Sequence, residues 1–138
     1  MTVARSSRRS GCPISFSLDI FGDRWTLLVL RDLILFDRRH FHELAAMEEG
    51  IASNILSDRL KRLEQNGILR RDRDPADRRK VIYRVTEKGI ALVPTLYEIS
   101  YWGATHDSKT AAPASFVEAY PKNRKTMIAK TVARLRAE

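Results

Sequence analysis

"IASNILSDRLKRLEQNGILRR", residues 51–71, has two distinct faces if it is wound as a helix. At about 100° per residue, its apolar side chains fall within one arc, and short polar groups and bases occupy the opposite side. The usual solvent-facing helix carries long Glu and Lys side chains, so this outer face needs another explanation. The apolar arc holds Ile55, Leu56, Leu60 and Leu63.

The surrounding sequence supplies the other parts of a known arrangement. A brief helix is predicted over 44–47, followed by a glycine turn, and Gly67 stops the quoted helix. Strand-like segments over 68–74 and 80–86 then flank the loop "PADRR", which predicts a hairpin with a basic tip. Helix, turn, helix and basic hairpin are typical of a winged helix-turn-helix. The predicted fold is therefore mainly α with a small β-hairpin, flanked by dimerisation helices.

The outer face of the quoted helix suits the major groove of DNA. Short side chains let a helix approach the base edges, and neighbouring bases reach phosphates. Asp58 would repel phosphates unless it accepts from a cytosine amine or pairs with Arg62, and we expect the pair. The predicted recognition residues are Asn54, Ser57, Asp58, Lys61 and Arg62. The predicted phosphate and wing contacts are Arg38, Arg39, Arg71, Arg73, Arg78, Arg79 and Lys80.

Helix signals also mark the rest of the chain. Pro13 and Gly22 bracket a first helix, and Asp23 is placed to cap the second. After the hairpin, Thr86 can cap a long helix in which Pro94 predicts a kink or a late start. A polar linker, a shorter element opened by a proline and a last amphipathic helix follow. We expect a flexible basic arm over 1–11, the winged-helix domain with dimerisation helices over 12–106, and a helical extension over 107–138.

Charge and composition favour a nucleic-acid partner. The net charge is +8, from 25 Lys and Arg against 17 Asp and Glu, so a polyanion is expected, with an anionic membrane surface second. The single cysteine and the lack of a long apolar stretch predict a cytoplasmic protein without a membrane partner. His40 and His42 lie two apart, but no cysteine or carboxylate set completes a metal site. We therefore predict neither a metal nor a cofactor.

Four segments, in order, resemble the HxlR-type winged-helix regulators over about residues 11–106. They are "CPISFSLDIFGDRWTLLVLRDLILFDRRHFHEL", "GIASNILSDRLKRLEQNGILRR", "YRVTEKGIAL" and "YEISYWG". The resemblance implies a bacterial DNA-binding transcription factor that acts as a homodimer, with recognition positions at Ser53, Asn54, Ser57 and Lys61 and with the wing arginines. Where the family commonly has a capping serine, this chain has Ala52. One alternative is that the cap passes to Ser53 and the helix begins one residue later.

The resemblance also implies that the first helix and the helix after the wing form the dimer. In the last helix, an apolar stripe independently predicts packing on a partner subunit. The leading interpretation is a dimer on an inverted repeat in duplex DNA, with recognition helices about 34 Å apart. The predicted interface residues are Ile14, Leu18, Leu96, Ile99, Trp102, Ile128, Val132 and Leu135.

Two kinds of effector are consistent with the sequence. Cys12 precedes Pro13 near a helix start, with Arg8 and Arg9 close by, a setting that favours an oxidisable thiolate. Some members of the family are thought to sense oxidants through a cysteine in this setting; the alternative is a structural cysteine. Aromatic residues fill either the core and interface or a small-molecule pocket between the long helices. They are Trp25, Phe41, Tyr97 and Trp102.

Two other classes of function compete with the DNA-binding regulator. An RNA- or protein-binding winged helix would use the same surface, without preferring palindromic duplex DNA and without needing a dimer. An enzyme is the weakest hypothesis, because the sequence has no glycine-rich phosphate loop and no nucleophile with a base placed by motif.

Overall fold

The computed structural model describes residues 9–138 and confirms a mainly α-helical chain with one antiparallel hairpin. The predicted arm over 1–11 therefore lies largely outside the described residues. The chain divides into two compact units between Gly89 and Ile90, so the predicted boundary after residue 106 falls inside the second unit. The elements are α1 (Pro13–Phe21), α2 (Thr26–Ile34), α3 (Phe41–Ala45), α4 (Ser53–Gln65), β1 (Leu69–Arg73), β2 (Val81–Val85), α5 (Glu87–Ile90), α6 (Val93–His106) and α7 (Ala114–Arg136).

The first helix begins where its proline predicts, and the second begins later than its predicted cap. Pro13 occupies the first position of α1, where its missing N–H costs no hydrogen bond. The carboxylate of Asp23 accepts the backbone N–H groups of Trp25 at 3.0 Å and Thr26 at 3.2 Å. These bonds satisfy donors at the start of α2, but the helix begins at Thr26 with Trp25 at the capping position.

The brief helix α3 begins earlier than predicted. It spans Phe41–Ala45 instead of 44–47, so that prediction of its bounds was wrong. The physical reason is a cap that the apolar pattern does not reveal. One carboxylate oxygen of Glu43 accepts the backbone N–H groups of Arg39 at 3.2 Å and His40 at 3.0 Å, and fixes the helix start there.

The quoted helix, α4, spans Ser53–Gln65 with Ala52 at the capping position. The alternative in which the cap passes to Ser53 is wrong, because Ser53 is already the first helical residue. Ala52 has extended backbone angles, φ −69° and ψ 143°, and its carbonyl accepts the N–H of Leu56 at 2.9 Å. The backbone alone therefore sets the start of α4, without a side-chain cap.

A glycine-based turn ends α4. Gly67 has a φ of +74°, and its N–H donates to the carbonyl of Glu64 at 3.0 Å. The N–H of Ile68 donates to the carbonyl of Leu63 at 2.9 Å, and both side chains are buried. This is a Schellman motif with its apolar contact, and it turns the chain directly into β1.

The two strands pair in antiparallel register, with Arg71 opposite Tyr83 and Arg73 opposite Val81. The hairpin and helices α2, α3 and α4 pack around one apolar core. Burial of each large aliphatic side chain stabilises the fold by about 1.5–3 kcal/mol. The core of this unit includes Val29, Leu30, Ile34, Leu44, Leu56, Leu60, Leu63, Ile68, Leu69, Ile82 and Val85.

The segment after the hairpin restarts twice. The hydroxyl of Thr86 accepts the N–H of Gly89 at 3.3 Å, so Thr86 caps a helix, but that helix is the four-residue α5 and not the predicted long one. A separate helix, α6, then begins at Val93 with Pro94 in its first turn. The predicted late start at this proline is confirmed.

The predicted shorter element and last helix are two helical stretches that meet at a kink and are numbered together as α7. α7 runs from Ala114 to Arg136, but Pro121 interrupts its hydrogen bonding and Asn123 has non-helical angles, φ −128° and ψ 23°. Beside α6, the rings of Tyr97 and Tyr120 stack at 5.5 Å, and the Tyr97 hydroxyl lies 2.7 Å from that of Thr131.

Among residues 9–138, no helix is long and apolar enough to cross a bilayer.

Candidate nucleic-acid interface

Helix α4 presents the predicted polar face to solvent. Leu56, Leu60 and Leu63 are buried at 0–2% exposure, which confirms the inward arc. The opposite face is open and has no bulky apolar group. Its exposed residues are Ser53, Asn54, Ser57, Asp58 and Lys61, with Arg62 half-buried beside them.

Asp58 pairs with Arg62, as the helical spacing predicted, and it has a nearer second partner in Arg59. Its carboxylate lies 2.5 Å from a guanidinium nitrogen of Arg59 and 3.9 Å from one of Arg62. Arg59 also donates to Asp23 at 2.8 Å, and so ties α4 to the cap of α2. Burial would raise the pKa of Asp23, but hydrogen bonds from Arg59, Thr26 and Trp25 outweigh it and lower the pKa to about 2.

An open groove of about 310 Å³ separates α4 from the hairpin. It brings together side chains that the sequence analysis assigned separately to the recognition helix and to the wing. Glu64 is the one acidic side chain in its lining. The lining residues are Phe41, Ser57, Leu60, Lys61, Glu64, Arg71 and Tyr83.

The hairpin tip carries exposed cations on an ordered turn. Asp74 and Lys80 close the turn through a backbone hydrogen bond of 3.0 Å, and Asp77 accepts from the backbone of Arg79 at 3.1 Å. Bonds from the Arg79 side chain and backbone lower the pKa of Asp77 and keep it ionised. The predicted wing cations Arg71, Arg73, Arg78, Arg79 and Lys80 are all exposed.

Arg38 and Arg39 already have carboxylate partners within the chain. The buried carboxylate of Asp32 accepts from Arg38 at 3.1 Å, and Arg39 pairs with Asp37. Because Asp32 has no exposed surface, Arg38 shares with Arg31, which lies 2.8 Å from the same carboxylate, the structural role of compensating a buried charge. A phosphate contact by either arginine stays a prediction.

A cluster that the sequence analysis missed joins the wing to α3. The Nε2 atom of His40 lies 2.7 Å from a carboxylate oxygen of Asp74, and Nδ1 lies 2.8 Å from Glu43. These hydrogen bonds, the Asp74 bond foremost, raise the pKa of His40. The three-residue spacing of His40 and Glu43 resembles a capping box, but Asp74 is distant in sequence and gave no signal.

Cys12 and the histidines carry no metal site. Cys12 is exposed at the start of α1, and its N–H donates to the hydroxyl of Ser10 at 3.2 Å. Among residues 9–138, His, Cys, Asp and Glu side chains form no cluster of three or more that could hold a metal. The neighbouring Arg8 lies outside the described residues.

Part of the predicted dimer interface is exposed and part is buried. Ile14 and Leu18 on α1 are 70% and 55% exposed, and Trp102 on α6 is 63% exposed. Leu96 and Leu135 are only 5% and 4% exposed, so the single chain already buries both in its core, and their place in an interface stays a prediction. Helical spacing alone does not tell a core stripe from an interface stripe. Ile99 is also exposed, and Ile128 and Val132 are half-buried.

The fold and this surface define a winged helix-turn-helix DNA-binding protein. A family model described as HxlR-like helix-turn-helix matches residues 20–111. The chain belongs to the HxlR family of bacterial helix-turn-helix transcriptional regulators, which confirms the resemblance noted in the sequence. The family and its members are regulators of transcription and not enzymes.

Three relatives illustrate the similarity. The HTH-type transcriptional regulator YvaP of Bacillus subtilis is 38% identical over 92 residues, which cover 66% of this chain and 84% of YvaP. The crystal structure of PA1607 is 33% identical, with a TM-score of 0.65, and covers 79% of this chain and 72% of that one. The reduced form of the regulator YodB of Bacillus subtilis is 36% identical, with a TM-score of 0.54 over 68% of this chain and 92% of its own. YodB has also been solved in diamide-treated and quinone-bound forms.

Proposed function

We propose that this regulator acts as a homodimer that binds an inverted repeat in duplex DNA, in the cytoplasm, where the bacterial chromosome lies. The observation that carries this proposal is the shared groove between α4 and the hairpin. Ser57 and Lys61 line it from the helix, and Arg71 lines it from the wing. One continuous surface therefore offers groups for base edges and groups for phosphates.

Within this proposal, α4 enters the major groove. Asn54 can pair with the edge of adenine through two hydrogen bonds, and the hydroxyls of Ser53 and Ser57 are short enough to reach base edges. Lys61 and Arg62 contact phosphates on either side. The carboxylate of Asp58 causes little repulsion there, because the Arg59 guanidinium beside it compensates its charge.

The wing supplies electrostatic affinity that does not depend on sequence. Its cations are exposed on a turn whose backbone is fixed by hydrogen bonds, so little entropy is lost when they meet phosphates. Each neutralised phosphate releases counterions and steepens the fall of affinity with salt. We assign Arg71, Arg73, Arg78, Arg79 and Lys80 to this role.

Dimerisation is supported by apolar side chains that the single chain leaves in water. Trp102 and Ile99 are exposed on α6, and Ile14 and Leu18 are exposed on α1. Large apolar groups at such exposure mark interaction surfaces. A second copy would bury them and place the two α4 helices about 34 Å apart, one turn of DNA.

Fluorescence anisotropy tests the DNA-binding proposal. The probe is the labelled duplex upstream of the regulator's own gene, titrated against an unlabelled random duplex at several salt concentrations. We expect competitor-resistant binding that Asn54→Ala weakens by about 1–3 kcal/mol at its cognate base, while Lys61→Ala lowers the salt slope by roughly one. Lys109→Ala, an equal charge change at an exposed site, should leave both unchanged.

Other outcomes of that titration contradict the proposal. Binding no tighter than to random duplex at every salt concentration would mean a merely basic protein. Preference for single-stranded RNA of the same sequence would favour the RNA-binding interpretation. Binding at full affinity by a monomer would contradict the proposal that a dimer binds an inverted repeat.

Cys12 is our candidate for the signal. It is exposed, and its relative YodB has been solved in a reduced and a diamide-treated form. With one cysteine per chain, diamide would take two electrons and two protons from two thiols, either two Cys12 side chains of a dimer or Cys12 and a small thiol. The same titration after diamide treatment should show weaker binding for wild type and none of this loss for Cys12→Ser. An equal loss in both would leave Cys12 structural.

A further inference from the structure

The base of the wing is held to α3 by one imidazole ring. His40, the residue before α3, places one ring nitrogen 2.8 Å from Glu43 and the other 2.7 Å from Asp74. The two carboxylates belong to different parts of the fold: Glu43 lies in α3, and Asp74 follows the last residue of β1. Both ring nitrogens must therefore donate for both contacts to be favourable, which only the imidazolium ion can do.

Asp74 connects this ring to the shape of the wing. One of its carboxylate oxygens accepts the N–H of Ala76 at 2.9 Å inside the loop, and the other faces His40. Its backbone N–H donates to Lys80 at 3.0 Å and closes the turn. A single side chain thus orders the loop that carries the exposed wing cations and fastens that loop to α3.

When the imidazolium of His40 loses a proton, its ring keeps one N–H group for two carboxylates. Glu43 is held in place by the backbone N–H groups of Arg39 and His40, and it cannot turn away without uncapping α3. Asp74 is the more easily displaced, because its loop donor, the N–H of Ala76, bonds to the oxygen that does not face His40. The wing keeps one further link in this region, from the N–H of Tyr83 to the carbonyl of Arg39 at 2.9 Å, and that link does not titrate.

Other titratable groups near the ring are an imidazole, a lysine and an arginine that already has a partner. His42, from α3, stacks on His40 with ring centres 5.6 Å apart. Lys80, from the wing, lines the same cleft, and Arg39 pairs with Asp37. Positive neighbours disfavour the imidazolium, so the two carboxylates are what retain its proton.

We infer that His40 is a positioning residue, which in its doubly protonated form sets the wing for DNA and on losing a proton releases it. This inference rests on the proposed DNA-binding function. The direction follows from linkage. The folded state holds the proton more tightly than the unfolded chain, so the clamp is complete at acid pH and is lost as the pH rises through the raised pKa of His40.

The first test needs no DNA. In an NMR titration of the full chain, the amide signals of residues 76–80 should move with the same midpoint as the His40 imidazole. Asp74→Asn, which removes one carboxylate and leaves the cap of α3 intact, should lower that midpoint. Amide signals of the wing that do not titrate with the His40 midpoint would overturn the inference, whether or not the protein binds DNA.

The second test uses anisotropy with the upstream duplex, at fixed salt between pH 5.5 and 9.5. For wild type, log Kd should rise with pH with a slope of up to about one, as expected for one linked proton. His40→Arg, which keeps a fixed charge and two donors, should bind tightly across the range. His40→Gln should bind weakly at every pH, and the control His42→Gln should keep the wild-type profile.

The two proposals fail in different ways. Sequence-specific binding with a pH profile that His40→Gln does not flatten would overturn the role of His40 and leave the DNA-binding function in place. No specific binding at any pH would overturn the DNA-binding function, and the NMR midpoint would still decide whether His40 holds the wing.

Discussion

At the scale of single residues, carboxylates fix how the helices of the winged-helix unit are held. Asp23 accepts N–H groups at the start of α2 and accepts from Arg59 of α4, so one side chain holds α2 against α4. Its pKa of about 2 reports how strongly those donors favour the charged form. Arg59 is therefore a structural cation.

Asp23→Ala tests this contact. Without the Asp23 carboxylate, the N–H groups at the start of α2 and the Arg59 guanidinium lose an acceptor. We therefore expect a loss of about 1–3 kcal/mol in the free energy of unfolding at neutral pH. The folded pKa is lowered, so the stabilisation is present above the ordinary value of 3.8 and disappears as the pH falls towards about 2. Urea unfolding should show the wild-type and variant curves converging over that window; a constant difference would contradict the assignment.

At the scale of the elements, the ends of α4 are set by different means. Its start depends on the backbone of Ala52 alone, and its end depends on Gly67, the residue that the sequence analysis identified as the stop.

In the hairpin, the two faces of β2 have different surroundings. Ile82 is buried although Val81 and Tyr83 on the opposite face are half-buried, because helices cover one face of β2 and the groove borders the other.

Gly67→Ala should be destabilising although there is room for the methyl group. A Cβ there meets nothing within 4 Å, but the φ of +74° costs an alanine about 1–2 kcal/mol. Gly103, inside α6, has equally open space and no positive φ, so Gly103→Ala should gain roughly 0.5–1 kcal/mol. Thermal unfolding followed by circular dichroism should give shifts of opposite sign, and a loss in both variants would mean that crowding, not φ, decides.

At the scale of the whole molecule, a single chain leaves apolar side chains in water, and a second copy is the expected cover. Trp102 is the largest of them, at 63% exposure, and its ring stacks on His106 with centres 4.5 Å apart. In a two-fold dimer both subunits contribute the same surface, so one substitution in the chain changes the interface at two places. The proposed interface should therefore be sensitive to a single charged substitution.

If the proposed dimer forms through this face, Trp102→Glu should give a monomer and reduce affinity for the upstream duplex, since both half-sites can no longer be held together. Sedimentation velocity measures the first effect and anisotropy the second. Phe36→Glu is the matched control, because Phe36 is also an exposed aromatic, at 52%, on the loop after α2. Trp102→Glu remaining a dimer would move the interface away from this face of α6.

The sequence by itself determined the order of elements, the inward arc of α4, the hairpin and the family. These depend on periodicity and on local signals such as Asp23, Gly67 and Pro94, which act within a few residues. Only the tertiary structure decided that Leu96 and Leu135 are core residues, that Arg59 bonds to Asp23, and that His40 bridges Glu43 and Asp74. Such contacts join side chains that lie far apart in the sequence and close together in the fold. Neither the spacing of residues nor the composition predicts which of them meet.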